Sequence, residues 1–413
     1  MWFPGWKCRK KITINGSSGA GTGYQVLLKV GESAGASGCD FHVEGHSEKF
    51  PTDKNDSGDL RFTSSNGSTL LDLWVEKVEG TSPNRTAYVW VKVADSLDSD
   101  VDIYCYYRNV NATNASNGDN TFLFFDDFDD GNLDTTKWTW IRESSGNWDE
   151  GITQPGWLNI KTLNAELWGT NNTAPVLISY EISGDFEAQV RIQINPTTNY
   201  QRGGIFVYSD DDNYVASQRI YGNGQLIQGK REVNASVVRT NINNTLTDVF
   251  VKVRKVGTTY TSLYSSDGES WTQIRSDSDI NFAHRYIALV SESYSGGGGG
   301  LDVLYDDVFV RKYVSPEPIF SLASTEEVAS ILSGTACDKN GNVITGESVK
   351  VFILEKETGE KIGQTTSDSN GNWSCDVWIT PNTKVVTVLT LEGDYGGDTD
   401  IAGAEFDITQ EGS

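Results

Sequence analysis

Short segments rich in β-branched and aromatic residues recur along the whole chain and constrain its fold more than any other feature. Examples are YQVLLKV, TAYVWVKVA, DFEAQVRIQI and DVFVKVRKVG. Turn sequences built from Gly, Ser, Asn and Asp, such as NGSSGAGTG and SSNGST, separate these segments, and helical spacing of apolar residues is hard to find. This pattern predicts an all-β protein built from antiparallel sheets.

Three consecutive domains with this pattern can be distinguished along the chain. Residues 1–122 contain short alternating strands and close with the polar loop NATNASNGDN. Residues 123–313 continue with longer strand segments in the number that suits a jelly roll. The proline-containing stretch 314–327 is predicted to be a linker, and residues 328–413 have the size of an immunoglobulin-like sandwich. We therefore expect three β-sandwich domains in series.

The balance of charge excludes one class of partner. The chain has 33 Lys and Arg residues against 57 Asp and Glu residues, a formal net charge of -24. Such an acidic surface repels a phosphate backbone, so we expect no nucleic-acid partner. No run of about 18 apolar residues predicts a membrane-spanning helix, and no apolar segment typical of a secretory signal follows the first residues. We accordingly expect no membrane insertion.

An acidic stretch between aromatic residues, FFDDFDDGNLDTTKW, opens the second domain. It contains Asp126, Asp127 and Asp129, and the last predicted strand, YDDVFVRKY, contains Asp306 and Asp307. If the first and last strands pair, these five carboxylates come together and repel one another, a conflict that bound Ca²⁺ would resolve. The alternative is that the aspartates cap surface turns. Calcium is the one cofactor that the sequence suggests.

Aromatic side chains in or beside loops of the second domain are candidates for stacking on sugar rings, together with one arginine that offers planar hydrogen bonding. The alternative for each aromatic residue is an ordinary place in the core. The candidates for a glycan-binding face are Trp148, Trp157, Trp168, Tyr200, Arg202, Tyr214 and Tyr221.

The sequence shows no arrangement typical of catalysis. Glycoside hydrolysis needs two carboxylates about 5–9 Å apart across a cleft. The nearest candidates, Asp185 and Glu187 in DFEAQVRI, precede an apolar run typical of a core strand. We therefore expect a non-enzymatic protein. Five cysteines are too few for a disulfide framework, although Cys337 and Cys375 share the third domain and are a candidate disulfide.

Particular stretches of the chain resemble known families. WKCRKKITI, DLRFTSSNGSTLLDLWVE, AYVWVKV and IYCYYRN make residues 5–122 resemble domain of unknown function 2341, found in archaeal and bacterial surface proteins and in viral reading frames. DDFDDGNLDTTKW, RGGIFVYSDDDNYV and VGTTYTSLYSSDGESWTQI make the second domain resemble a concanavalin A-like, or laminin-G-like, jelly roll of carbohydrate-active enzymes and adhesins. The third domain is similar to immunoglobulin-like modules of the carboxypeptidase-regulatory type.

These resemblances imply a structural protein that carries a binding domain. The expected function is a non-enzymatic virion surface protein, such as a spike, tail fibre or head decoration, that docks by one domain and presents a lectin-like domain at the virion surface. Its expected partners are other virion or surface proteins, further copies of itself in a homo-oligomer, and host cell-surface glycans. The alternatives are a secreted prokaryotic cell-surface adhesin or filament component, and a carbohydrate-active enzyme of concanavalin-like fold.

Overall fold

The computed structural model describes residues 3–198, 200–294, 296–337, 342–346, 349–379, 384–391 and 403–407. Within these ranges the chain is almost entirely β-structure, with one single-turn helix, α1 (Gly118–Thr121), and no helix long and apolar enough to cross a membrane. The prediction of an all-β protein is therefore confirmed. The chain forms two compact units: unit 1 is Met1–Gly16, Gly21–Asn117 and Pro318–Ser413, and unit 2 is Ser17–Ala20 and Gly118–Glu317.

Unit 1 begins with seven strands, and the first of them alternates buried and more exposed side chains along its length. In the first of them Cys8, Lys10, Ile12 and Ile14 are buried, and the residues between them are half-buried. The strands are β1 (Cys8–Asn15), β2 (Tyr24–Gly31), β3 (Phe41–His42), β4 (Arg61–Thr63), β5 (Leu73–Glu79), β6 (Thr86–Val93) and β7 (Val101–Tyr107). The sheet orders are β3-β2-β6-β5 and, in part of a larger sheet, β1-β7-β4, and only β2 and β3 pair in parallel in this set.

Unit 2 is a sandwich of two antiparallel sheets. Its strands are β8 (Phe124–Asp126), β9 (Thr139–Ile141), β10 (Trp148–Glu150), β11 (Leu158–Ile160), β12 (Leu167–Trp168), β13 (Asn171–Asn172), β14 (Val176–Glu181), β15 (Phe186–Gln193), β16 (Arg202–Asp210), β17 (Asn213–Tyr221), β18 (Gln225–Val233), β19 (Ser236–Asn243), β20 (Asp248–Val256), β21 (Thr259–Ser265), β22 (Thr272–Asp277), β23 (Tyr286–Glu292) and β24 (Leu304–Lys312). The seven-stranded sheet has the order β19-β18-β17-β16-β23-β14-β9. The eight-stranded sheet has the order β10-β11-β24-β15-β20-β21-β22, with β8 paired to β24.

Side chains of the seven-stranded sheet alternate between two apolar environments. In β17, Val215 points into the core that the two sheets of unit 2 share, whereas Tyr214 and Ala216 point to the outer face. The β12–β13 hairpin packs on that outer face, where Leu167 joins a second apolar cluster with Phe206 and Tyr214. The hairpin therefore covers only part of the outer face, and a cavity can form beside it.

The last seven strands belong to unit 1. They are β25 (Ile319–Ala323), β26 (Glu327–Thr335), β27 (Val349–Glu355), β28 (Lys361–Thr366), β29 (Asn372–Ile379), β30 (Lys384–Leu391) and β31 (Gly403–Asp407). Strands β26 and β29 extend the first sheet in the order β29-β26-β1-β7-β4, and β28-β27-β30-β31 form another sheet. The segment 319–323, which was expected to belong to a linker, is a strand because it pairs with the open edge of β1.

The predicted disulfide between Cys337 and Cys375 is not formed, and both residues are free thiols. Cys375 lies opposite Leu332 in the β26–β29 pair, whereas Cys337 follows the end of β26 and bridges to Val343. Extended chain from Leu332 to Cys337 spans about 16 Å, and a disulfide needs Cα atoms within about 7 Å. Sharing one small domain was therefore not enough to bring the two sulfur atoms together.

Candidate functional site

A cavity of about 410 Å³ opens on the outer face of the seven-stranded sheet. Its volume lies in the range of small-molecule pockets, about 300–1,000 Å³. Strands β16 to β19 supply side chains from below, and the β12–β13 hairpin supplies Trp168 and Asn171 from the side. The alternation of side chains along the strands places every second residue of β18 and β19 on this face.

Three aromatic side chains line the cavity. Trp168 lies in β12, and the guanidinium carbon of Arg239 lies 4.9 Å from the centre of its ring. Tyr200 and Tyr294 meet edge to face with ring centres 5.9 Å apart, and they remain 42% and 49% exposed. Tyr200 also has a φ of +71°, a left-handed conformation that is uncommon for a bulky residue. The two tyrosines therefore offer ring surface to solvent at the cavity.

Side-chain amides form a chain across β17, β18 and β19. Gln218 Nε2 donates a hydrogen bond to Gln228 Oε1 at 2.7 Å, and Gln228 Nε2 donates to Asn241 Oδ1 at 2.7 Å. Gln218 and Gln228 are buried, whereas Asn241 is exposed and lines the cavity with Gln228. The chain thus fixes the orientation of the polar groups along this side of the cavity.

A buried network of charges lies on the same face. Arg202 Nε is 2.6 Å and Lys230 Nζ is 3.5 Å from Glu292 Oε1, and none of the three side chains is more than 3% exposed. Glu292 also accepts a hydrogen bond from the backbone N–H of Leu167, and Lys230 donates to the Leu167 carbonyl at 3.1 Å. Burial opposes ionisation of Glu292, but Arg202 and Lys230 outweigh it and lower its pKa, while burial lowers the pKa of Lys230. The network therefore ties β12 to the sheet.

The groups that line the cavity can both donate and accept hydrogen bonds. Arg202 Nη2 has no hydrogen-bond partner among the described residues. Glu166 Oε1 accepts a bond from Asn171 Nδ2 at 3.1 Å. Two arginines, Arg202 and Arg239, face the single carboxylate of Glu166 among the described lining residues. Because Glu292 already neutralises Arg202, the remaining charges of Arg239 and Glu166 make the described lining close to neutral in a chain of net charge -24.

The structure brings three of the seven candidate glycan-binding residues to this one cavity: Trp168, Tyr200 and Arg202. Tyr214 lies beneath, fully buried, with its hydroxyl 2.6 Å from a carboxylate oxygen of Glu232 and 2.8 Å from the Leu167 carbonyl oxygen. It therefore supports the hairpin and does not contact the cavity. Tyr221 ends β17, where its carbonyl accepts a hydrogen bond from the backbone N–H of Tyr200.

The remaining two candidates, Trp148 and Trp157, lie elsewhere in unit 2. Trp148 is in β10 of the eight-stranded sheet and packs on Trp140 with ring centres 5.7 Å apart. Trp157 directly precedes β11, is 8% exposed and lies 5.2 Å under the guanidinium carbon of Arg191. Both residues therefore have packing roles that the sequence analysis allowed as the alternative.

Sequence reasoning missed several residues of the cavity. They are Glu166, Asn171, Gln228, Arg239, Asn241 and Tyr294. A signal was present in β18 and β19, QLIQGKREV and SVVRTNIN, where polar residues recur at every second position. A strand that alternates in this way has one polar face, which is a feature that predicts solvent or ligand contact.

The aspartates of the opening acidic stretch have different surroundings. Asp126 is buried, and its carboxylate accepts hydrogen bonds from Trp138 Nε1 at 2.7 Å and from the backbone N–H of Phe128 at 3.1 Å. Asp127 accepts a longer bond, 3.4 Å, from the backbone N–H of Asp129. The two bonds from backbone N–H groups each span two residues, as expected for aspartates that order a turn. The third bond joins Asp126 to the side chain of Trp138.

The first and last strands of unit 2 do pair, with Asp126 opposite Val308. Asp306 lies opposite Arg191 in the neighbouring strand β15, on the face away from the core residue Tyr305. Asp307 adopts a φ of +49° beside it. Asp126 therefore points to the core side of the sheet and Asp306 to its outer face, which separates two of the five carboxylates. Calcium binding by these five aspartates stays a prediction.

The two carboxylates considered for catalysis are held in ion pairs. Glu187 is 2% exposed and lies 2.9 Å from Lys252 Nζ, 2.6 Å from Arg254 and in contact with Arg311. Burial would raise the pKa of Glu187, but these three cations hold it well below its usual value. Asp185 pairs with a lysine at 2.8 Å. A carboxylate that stays ionised in this way is unsuited to act as a general acid.

Two family models match the chain. Residues 56–141 match a domain of unknown function (DUF2341), and residues 125–301 match the beta xylosidase C-terminal concanavalin A-like domain. The chain therefore contains a DUF2341 domain followed by a concanavalin A-like domain, which confirms the first two resemblances drawn from the sequence, whereas the immunoglobulin-like resemblance of the third domain stays a prediction. No relative among curated protein sequences matches the chain.

Solved structures with partial similarity include two from bacilli and one from yeast. The GH43 BlXynB protein of Bacillus licheniformis is 17% identical, with a TM-score of 0.41, over 62% of this chain and 53% of its own. A xylan beta-1,4-xylosidase of Bacillus halodurans is 13% identical, with a TM-score of 0.41 over the same shares. A functionally unknown protein of Saccharomyces cerevisiae is 18% identical, with a TM-score of 0.38, over 44% of this chain and 98% of the yeast protein. The chain spans about half the length of the two bacterial proteins.

The family match also corrects one prediction. The protein was expected to be non-enzymatic, but its second domain matches a module that is named as part of beta xylosidases. The prediction of a non-enzymatic protein is therefore wrong. The prediction rested on finding no pair of catalytic carboxylates in the sequence. The matched module is named as a C-terminal domain of beta xylosidases, so the lack of such a pair within it does not argue against an enzyme.

Proposed function

We propose that this protein is a carbohydrate-active protein whose unit 2 binds a glycan in the cavity on its seven-stranded sheet, as a substrate-binding module in glycoside hydrolysis. The observation that carries the proposal is the composition of the cavity, in which aromatic rings, ordered amides and arginines surround one space. The match to a beta xylosidase domain favours this alternative over a virion surface role, which stays a prediction.

The chemistry of the cavity suits a sugar better than an apolar ligand. A sugar ring presents apolar C–H groups on its faces and hydroxyl groups at its edge, and each hydroxyl can donate and accept. The rings of Trp168, Tyr200 and Tyr294 offer apolar surface for the faces. The amides of Gln228 and Asn241, which the hydrogen-bonded chain orients, offer both donors and acceptors for the edge.

The name of the matched domain suggests which glycan to test first. Beta xylosidases act on β-linked xylose, so we propose xylo-oligosaccharides as the ligand class of this cavity. The cavity volume, about 410 Å³, suits one or a few sugar units more than a long polysaccharide segment.

Replacing Trp168 with alanine is expected to weaken binding of xylohexaose by about 10-fold to 100-fold, because truncating a central aromatic contact costs about 1.4–2.8 kcal/mol. Isothermal titration calorimetry on the full chain measures the affinity. The matched control is Trp148→Ala, which removes a tryptophan from the other sheet of the same unit and should leave the affinity within about 2-fold of the original.

A broader glycan panel, with released sugar measured in parallel, tests the proposal as a whole. We expect binding to xylo-oligosaccharides that depends on Trp168. Binding that Trp168→Ala leaves unchanged would move the glycan site out of the cavity. Neither binding nor sugar release with any glycan of the panel would contradict a carbohydrate-active protein.

A further inference from the structure

Three side chains of different chemistry, each of a type that commonly binds metals, meet within unit 1. Cys8 begins β1 and is fully buried, His46 lies in the loop after β3, and Glu326 directly precedes β26. The Cys8 sulfur, a ring nitrogen of His46 and a carboxylate oxygen of Glu326 all lie within 4.8 Å of one another. The fold therefore gathers a thiol, an imidazole and a carboxylate around one point.

Strand pairing fixes the place where the thiol and the carboxylate meet. Cys8 lies opposite Tyr107 in β7 and opposite Val328 in β26, so β1 is held on both sides at this residue. Glu326 stands just before the strand that pairs with Cys8, and its carboxylate accepts a hydrogen bond from the Tyr107 hydroxyl at 2.8 Å. Because Tyr107 is fully buried, this bond holds the carboxylate beside Cys8.

The imidazole approaches the same carboxylate from the solvent side. His46 Nδ1 lies 2.9 Å and 3.0 Å from the two carboxylate oxygens of Glu326. The His46 side chain is 46% exposed, whereas that of Glu326 is 11% exposed. Each carboxylate oxygen has two lone pairs, so Glu326 can keep its bond from Tyr107 and still bind a metal ion. An ion can therefore reach the three groups from the side of His46.

We infer that Cys8, His46 and Glu326 bind one Zn²⁺ ion. Zn²⁺ takes sulfur, nitrogen and oxygen ligands at about 2.0–2.3 Å, in a tetrahedral geometry that separates the ligand atoms by about 3.3–3.6 Å. The separations in the structure, from 2.9 Å to at most 4.8 Å, bracket this range, so side-chain movements of about 1 Å close the set. Zn²⁺ binds cysteine as the thiolate, and the thiol proton leaves to solvent on binding. Three protein ligands leave the fourth position to a water molecule.

The ligand set favours zinc over calcium and magnesium. Those two ions take oxygen ligands, whereas this cluster offers one carboxylate beside a sulfur and a nitrogen atom, a combination that suits Zn²⁺. Tyr107 has the place of a residue that orients a metal ligand through a hydrogen bond. No short zinc motif could reveal the site in the sequence, because 280 positions separate His46 from Glu326. The site lies in unit 1, so it does not depend on the glycan cavity of unit 2.

The decisive experiment is a titration of the reduced, metal-free full chain with Co²⁺, a coloured ion that can replace Zn²⁺. A cobalt–thiolate bond adds a charge-transfer absorption in the near ultraviolet, which imidazole and carboxylate ligands do not produce. We expect this absorption to saturate at one Co²⁺ per chain and to disappear when excess Zn²⁺ displaces the cobalt. Cys8→Ser should abolish the absorption. Cys39→Ser, the same change at another free thiol of unit 1, should keep it.

A pair of histidine variants tests the second ligand and does not depend on how well Cys8→Ser folds, because His46 is exposed. His46→Asn should weaken Co²⁺ binding by more than about 100-fold, the upper end of what the loss of a ligand's hydrogen-bond partner costs. His42→Asn is the matched control. His42 ends β3 and pairs with Glu44 at 3.4 Å, so its loss should change the affinity by less than about 2-fold.

Three results would overturn the inference. The first is no thiolate absorption in the original protein, in which case the cluster is an ion pair of His46 and Glu326 beside a buried thiol. The second is an absorption that persists in Cys8→Ser or is lost in Cys39→Ser, which would place the metal at another cysteine. The third is equal Co²⁺ affinity in His46→Asn and His42→Asn, which would remove the imidazole from the site.

Discussion

Replacing Glu292 with alanine is expected to lower the free energy of unfolding by about 3–5 kcal/mol and to remove glycan binding. The change removes the carboxylate that two buried cations share, since Glu292 lies within 3.5 Å of both Arg202 and Lys230, and of the described carboxylates only Glu232 remains to act on Lys230. It also removes the acceptor for the backbone N–H of Leu167, which precedes Trp168 in β12. Urea unfolding followed by circular dichroism measures the first effect, and calorimetry with xylohexaose measures the second.

A surface ion pair of the same unit provides the control for Glu292. Asp248 pairs with Arg191 at 2.7 Å, but the two side chains are 39% and 35% exposed. Asp248→Ala should therefore cost less than about 1 kcal/mol and leave glycan binding intact. If Glu292→Ala cost no more than Asp248→Ala, the buried charge network would not be what holds the hairpin on the sheet.

Replacing Glu187 with alanine is expected to have an equally large effect on stability, about 3–5 kcal/mol, without changing the affinity of the folded protein for glycan. Glu187 neutralises Lys252 and Arg311, whose side chains are at most 7% exposed, and the more exposed Arg254. It lies in β15 of the eight-stranded sheet, so its loss destabilises unit 2 from the side that does not carry the cavity.

This prediction separates a structural carboxylate from a catalytic one. If Glu187 were a general acid, Glu187→Gln would abolish sugar release while the protein kept its stability. We expect the opposite, with a large loss of stability in urea unfolding and unchanged sugar release per folded molecule. A stable Glu187→Gln protein that had lost hydrolysis would contradict the structural role.

The fold class could be predicted from the sequence because strand alternation is a local property. Each strand carries its own pattern, as β1 does with four buried residues at alternate positions, and turn residues mark where it ends. Pairing between distant strands is not local. The strand at 319–323 was interpreted as a linker because its partner, β1, lies about 300 positions earlier in the chain.

The candidate site could be predicted only in part, for a similar reason. An aromatic residue near a turn can face a cavity or the core, and the sequence does not state which. Trp168 lines the cavity because its hairpin packs on the outer face of the sheet, whereas Trp157 lies under Arg191 at the other sheet. Tyr214 sits in the same strand as cavity residues but is covered by that hairpin.

Polar residues of the cavity were harder to anticipate than aromatic ones. Gln228 and Asn241 resemble ordinary surface residues until β18 and β19 pair and bring them into one hydrogen-bonded row. Glu292 ends a predicted strand and reads as a solvent-facing acid, yet it is fully buried. Its partners come from β16 and β18, so its role depends on the order of strands in the sheet.

The central claim is that the cavity beside the β12–β13 hairpin binds a sugar, and a crystal structure of the full chain with a bound xylo-oligosaccharide tests it most directly. The account predicts electron density for sugar between Trp168 and the Tyr200–Tyr294 pair, with hydrogen bonds to Asn241 or Arg239. Sugar bound at any other surface of unit 2, with this cavity holding only water, would contradict it.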